Sequence, residues 1–489
     1  MVLGSLALIA VVALPTAGAL LVWLVRHRRW AAQLATGIAV LSLVAVAVLP
    51  FDRAEGSAGR WWHEVSYPWA PSAHLDFALG VDGISWPLVA LTALLTFLCC
   101  VHTVANPMHR PGALAAGLLA VQAAVSTVFL ADNLVLFFIA FEAVLLPMWA
   151  IIYWWGGKGS RHAAAKFAVF TLSGSLLMAT GLFLVVFDTG TAGLSDIIAA
   201  GGISPELSLA AFALLAIGFA VKAPLWPFHS WLPDAHTAAP TVGSVILAGV
   251  LLKLGTYGLI RVAFGTAPDG AAQAAPVLAT LASLGIVVAA LVCLAQTELK
   301  RLIAYSSVGH MGFVVLALAT GTLSGMYAAL YANIAHGLIT GLLFFMVGGI
   351  KARTDTGILS QLGGLRIVAP SVAGLLGFGT LASLGLPGLA GFWGEAFTVY
   401  ATASLGGMWL IAAVVAAVGA LLTVAYFLRL LKQVVYGQPA PAVRAIVDTN
   451  LRKSELAIWS PLVLLTLLLG LAPWLMLDMF ADGIGWGAF

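Results

Sequence analysis

Apolar residues run along this chain in long unbroken stretches, not in the alternation of half-buried strands. Val2 to Val25 carries no charge; Arg26, Arg28 and Arg29 follow, and a second apolar stretch begins at once. A helix rises about 1.5 Å per residue, so crossing a hydrocarbon core about 30 Å thick takes about 20 apolar residues. Fourteen stretches approach or exceed that length: 2–25, 30–50, 82–104, 112–131, 133–155, 163–187, 208–236, 241–264, 274–296, 301–320, 324–350, 369–402, 406–436 and 457–480. The pattern predicts an all-α integral membrane protein of about 14 transmembrane helices. The first stretch is read as a helix kept in the mature protein, because its positive charges follow the apolar run, whereas a secretory signal carries them in front. Segments four and five are divided only by Asp132-Asn133. The stretch Phe51 to Val81, with Trp61, Trp62, Tyr67 and Trp69, reads as an interfacial cap on the outer face.

Composition agrees and removes several classes of function. The chain is 62% apolar and 8% charged, against about 25% charged in a soluble domain. A net charge of +3 gives no ground for a nucleic-acid partner. Cys99, Cys100 and Cys293 sit inside apolar runs and form no C-x-x-C pair, so neither a disulfide framework nor an iron–sulfur spacing is present. The glycine pairs Gly348-Gly349 and Gly363-Gly364 follow no strand and carry no G-K-[ST], which excludes a dinucleotide fingerprint and a P-loop. Any redox or ATP chemistry would rest on a cofactor in another chain; no cofactor or metal is expected in this one.

Lysine and arginine set the orientation. With the N-terminus outward, seventeen of the 22 fall on the inner side, among them Lys300, Arg301, Lys351 and Arg353. Arg53, Arg60 and Arg261 fall outside, and Lys222 and Lys253 stay in the membrane. Asp188, Asp196 and Glu206 share one outer loop. Both termini are therefore expected to face outward.

Two segments are interrupted. The seventh breaks at Lys222-Ala-Pro-Leu-Trp-Pro227 and the twelfth at Ser383-Leu-Gly-Leu-Pro-Gly388, so Pro224, Pro227 and Pro387 each remove a helix donor. Irregular backbone at membrane depth survives only where protein or water satisfies it. Broken helices at matching places in two halves are a signature of inverted repeats. The division expected is 1–111 for helices 1–3 with the outer loop, 112–264 for one five-helix repeat, 274–436 for the second, and 457–489 for the last helix.

Ionisable residues inside apolar runs are functional candidates by default. Glu142, Lys222, Lys253, His310, His336 and Glu395 lie there, and together they suit a proton relay. Desolvation disfavours an ammonium and a nearby carboxylate favours it, while a neutral imidazole accepts on one nitrogen and donates from the other. Each has a plainer reading. Glu142 and Lys222 would also suit a structural ion pair, and the histidines would also suit backbone hydrogen bonds. His229 and His236 could line a water-filled mouth, and Asp234 could cap a helix end. Tyr305, Ser306 and Ser307 could hold waters or bond back to their own helix.

Three motifs carry a resemblance. KAPLWPFHSWLPDAHTAAPTVGSVILAG from Lys222, LKRLIAYSSVGHMG from Leu299 and SLGLPGLAGFWGE from Ser383 resemble the antiporter-like membrane subunits of respiratory complex I. That family includes subunits of multisubunit sodium/proton antiporters and of membrane-bound hydrogenases. The resemblance covers at least Gly117 to Val414. It implies two inverted five-helix repeats, a glutamate–lysine pair at Glu142 and Lys222, a central Lys253, and histidines at His310 and His336. Most relatives, chains L and N and the antiporter subunits included, are expected to carry lysine on the twelfth helix. One branch carries glutamate there, as this chain does at Glu395. By implication this chain moves H+ in a bacterial-type inner membrane beside chains L and N type neighbours. FMN, iron–sulfur clusters and quinone then belong to other subunits, which oxidise NADH and reduce the quinone. A cation/proton antiporter subunit and a hydrogenase-type membrane subunit are the alternatives; a mere scaffold leaves the buried lysines unexplained.

Overall fold

The computed structural model describes residues 2–51, 61–70 and 75–483; Arg53 and Arg60 lie outside them. Among the described residues, 13 helices are long and apolar enough to cross a membrane. The expected twelfth segment is built as two shorter helices, Pro370–Ser383 and Ala390–Ala403. Large apolar side chains such as Leu176, Phe187 and Ile411 are exposed, as lipid-facing positions should be.

The chain folds as two compact units. The first comprises Met1–Ala223, Val250–Pro276 and Leu477–Phe489; the second comprises Pro224–Gly249 and Val277–Met476. In the first unit the sixth segment (Ser160–Thr189) packs along the seventh (Pro205–Lys222) through small residues. A Cβ on Gly218 would lie 2.7 Å from Met178 Cβ, so the two backbones approach more closely than any larger residue permits. The eighth segment meets the end of the seventh in the same way: a Cβ on Gly255 would lie 2.5 Å from Ala223 N.

The seventh helix stops at Lys222 because Pro224 and Pro227 cannot donate; its last bond runs from Ala223 N to Phe219 O at 2.8 Å. The fifth segment has a break that the apolar pattern does not announce. Leu134–Ala143 and Leu145–Trp155 are separate helices, because Pro147 lacks the N–H that the Ala143 carbonyl would accept. In the eighth, Leu252–Gly258 is flanked by π-helical stretches at Leu247–Leu251 and Leu259–Phe264. Such wider turns are frequent at functional sites.

Within the stretch expected to form an interfacial cap, the described residues form two paired strands. His63–Ala70 pairs antiparallel with Leu75–Val81, a hairpin added to the helical fold. Tyr67 and Trp69 are exposed, whereas Trp62 is buried beside Trp86.

In the second unit the turn after Ser383 holds Gly385 at φ +77° and Gly388 at φ +91°. Both values lie in the left-handed region that glycine adopts without steric cost. Leu323–Thr354 packs against both Leu299–Ala319 and Ala390–Ala403, which gathers the tenth, eleventh and twelfth segments around one point.

Candidate functional site

In the first unit the end of the seventh helix delivers Lys222 into a buried position, 2% exposed. Its Nζ lies 5.0 Å from the centre of the Phe141 ring and 5.8 Å from that of Phe167. Both rings offer a negative face to an ammonium. Phe141 is next in sequence to Glu142, whose carboxylate is within Coulombic range of Lys222. The two are not hydrogen-bonded: Lys222 Nζ and Glu142 Oε1 are both buried without a hydrogen-bond partner. A closed structural ion pair is therefore not what the structure contains. Lys253 is fully buried on the eighth segment, two residues before Gly255.

In the second unit His310, His336 and Glu395 come together. His310 Nε2 lies 3.5 Å from Glu395 Oε1 and 3.0 Å from the Ser383 carbonyl oxygen. The His310 and His336 ring centres are 5.5 Å apart. A cavity of about 30 Å³ is lined by His310, His336, Ser383 and Glu395, among others.

The remaining candidates make contacts of their own. Asp234 pairs with Arg301 at 3.1 Å, and the His229 and Tyr305 rings are 6.0 Å apart. His236 does not line an open mouth; it is fully buried and stacked on Phe344. Ser306 bonds back to the Ile303 carbonyl at 2.8 Å, the plainer of its two readings.

Several charged residues escaped sequence reasoning. Lys300, counted among inner cations, is buried and donates to the Ala239 carbonyl at 2.5 Å. Arg261, counted among outer cations, is buried in an ion pair with Asp82 and lies over the Trp61 ring. Asp82 also accepts from the backbone N–H groups of Ile84 and Ser85, which starts the third segment. An aspartate just before an apolar run is a helix-start signal, but nothing local signals the arginine. At the turn between the fourth and fifth segments Asp132 accepts from Ser195 N at 2.9 Å, Ser195 Oγ at 2.7 Å and Trp61 Nε1 at 3.3 Å.

Among the described residues no cluster of His, Cys, Asp and Glu could hold a metal ion. Both groups place proton-binding atoms in an apolar setting beside the ends of interrupted helices.

The model of the family described as NADH:quinone oxidoreductase/Mrp antiporter, TM, matches residues 131–423. The chain is 39% identical to NAD(P)H-quinone oxidoreductase chain 4 1 of Synechococcus sp. (strain JA-3-3Ab), with 95% of this chain and 89% of the relative covered. It is 38% identical to NADH-quinone oxidoreductase subunit M of Rhodobacter capsulatus, with 94% and 90% covered. A chain in the structure of respiratory complex I from Thermus thermophilus with bound NADH aligns at a TM-score of 0.87 and 30% identity, covering 99% of both chains. On the family match and the near full-length relatives, the chain belongs to the NADH:quinone oxidoreductase/Mrp antiporter transmembrane family.

Proposed function

We propose that this chain is the proton-translocating membrane subunit, of chain M or chain 4 type, of an NADH–quinone oxidoreductase. It moves H+ through Glu142, Lys222, Lys253, His310, His336 and Glu395, while redox chemistry proceeds in other subunits. The observation that carries the reading is Lys222, buried with Glu142 in electrostatic range, its Nζ and Glu142 Oε1 both without a hydrogen-bond partner. Burying an unpaired ammonium is costly, and an open pair is a weak device for stability. It is a good device for proton exchange: approach of the carboxylate holds the proton on Lys222, and withdrawal leaves a desolvated ammonium that gives it up.

Glu395 in place of the lysine expected of most relatives supports the chain M type over an antiporter subunit. The energy comes from elsewhere, since moving one charge against 100 mV costs about 2.3 kcal/mol. FMN, iron–sulfur clusters and quinone belong to other subunits in this reading, and chains of L and N type are the membrane neighbours. The bias of lysine and arginine to one side supports outward-facing termini.

The test is Lys222→Met in the assembled complex. NADH-driven proton pumping into vesicles should fall about tenfold or more, with coupled quinone reduction slowed alongside it. Normal pumping by a fully assembled variant would remove Lys222 from the mechanism.

A further inference from the structure

We infer that Ser383 and Gly385, at the break in the twelfth segment, are positioning residues for proton transfer between His310 and Glu395, and that the cavity there takes an ordered water. The inference rests on the functional reading of His310 and Glu395 and adds the groups that orient them.

The break itself supplies the first contact. In a continuous helix the Ser383 carbonyl would accept from the N–H of residue 387, which is proline and has none. That carbonyl instead faces His310 Nε2 at 3.0 Å. A carbonyl oxygen only accepts, so Nε2 carries the hydrogen and the ring is fixed in one tautomer when neutral. Glu395 Oε1 stands 3.5 Å from the same nitrogen, too far for a good hydrogen bond.

The cavity supplies the link. Ser383 Oγ, His310 Nδ1 and Glu395 Oε1 are each buried without a protein partner, and their residues line the same space of about 30 Å³. A water needs roughly 10–15 Å³ and two to four polar partners, and this space offers both. In the transfer the ring starts doubly protonated; the water takes the Nδ1 proton, leaving the neutral Nε2–H ring, and gives one of its own to the carboxylate. One N–H bond breaks, one carboxyl O–H forms, and the water is regenerated. The Ser383 hydroxyl holds the water in line by donating to it or accepting from it.

Gly385 seats the acceptor. Its φ of +77° suits glycine, and a Cβ there would lie 2.8 Å from Glu395 Oε2. Any side chain at 385 would push the carboxylate away from the break.

The experiment uses the native complex with Ser383→Ala, Gly385→Ala and Glu395→Gln. It measures NADH-driven proton pumping and infrared difference spectra, in which the Glu395 carboxyl band is the one lost in Glu395→Gln. In assembled Ser383→Ala the pumping rate should fall about fivefold to tenfold. The Glu395 band should move to higher wavenumber as its carbonyl loses a hydrogen bond, a change that a purely structural role of Ser383 would not cause. Gly385→Ala should move the same band. Unchanged pumping and an unchanged band in Ser383→Ala would overturn the inference while leaving Glu395 in the relay. Normal pumping by Glu395→Gln would overturn the functional reading, and this inference with it.

Discussion

Asp132 shows how a single residue at a helix boundary can carry opposing effects. Three accepted hydrogen bonds favour its charged form, yet burial outweighs them and pushes the carboxyl up to about 6. The native state therefore holds the proton more tightly than the unfolded chain, whose aspartates titrate near about 3.9. The stabilising contribution is complete below about pH 4 and is lost as the pH rises through about 6. The shift corresponds to about 3 kcal/mol. Asp132→Asn should remove this dependence, so the thermal midpoints of wild-type and variant complexes should draw apart differently at pH 4.5 and pH 7 (both values about). A constant gap between them would mean that Asp132 does not titrate in this window. From sequence alone the residue reads as half of a two-residue polar turn, because its partners, Ser195 and Trp61, lie 63 and 71 positions away. Arg261 and Asp82 were hidden for the same reason: each looks ordinary until the other is placed beside it.

At the scale of elements, the breaks in the seventh and twelfth segments were legible, whereas the break in the fifth and the close approaches were not. Proline has no donor, so the ends of the seventh helix at Lys222 and of the first half of the twelfth at Ser383 follow from Pro224, Pro227 and Pro387. Glycine carries no such directional message. Gly255 is distinguished only by what surrounds it, with Ala223 N and Phe219 O at 2.5 and 2.6 Å from where its Cβ would stand. Those are backbone atoms and cannot swing aside. Gly255→Ala should therefore force the eighth helix off the end of the seventh, costing about 1–3 kcal/mol and disturbing Lys222 and Lys253 together. Gly37→Ala is the control, since its Cβ meets nothing within 4 Å; helix propensity alone should make it neutral or stabilising. Abundance of the assembled complex on native gels separates the two, and equal abundance and pumping in both variants would deny the close contact a role. The strand pair His63–Ala70 and Leu75–Val81 was missed because its strands are short and rich in aromatic residues that serve equally well at a membrane surface.

For the whole molecule, residue type and depth were enough to nominate the buried ionisable groups, since a charge in an apolar run has few structural excuses. The pairing of Glu142 with Lys222 was expected, but the meeting of His310 with Glu395 was not legible, because helix–helix distances depend on packing that no run of apolar residues encodes. The structure brings His310, His336 and Glu395 together in one unit and sets Lys222 near Glu142 in the other. If each proton must be handled by both groups, the groups act in series and their effects cannot multiply. A chain that already fails at Lys222 has little left to lose at Glu395, just as residues acting as a unit in an enzyme show strongly non-additive losses. Lys222→Met combined with Glu395→Gln should therefore pump no more slowly than the worse single variant, within about a factor of two. Independent routes would behave otherwise, each single variant sparing the other path and the double variant abolishing what both spare. Pumping rates of the four proteins, each normalised to assembled complex, decide between these outcomes, and a double variant far below either single one would end the case for a single relay.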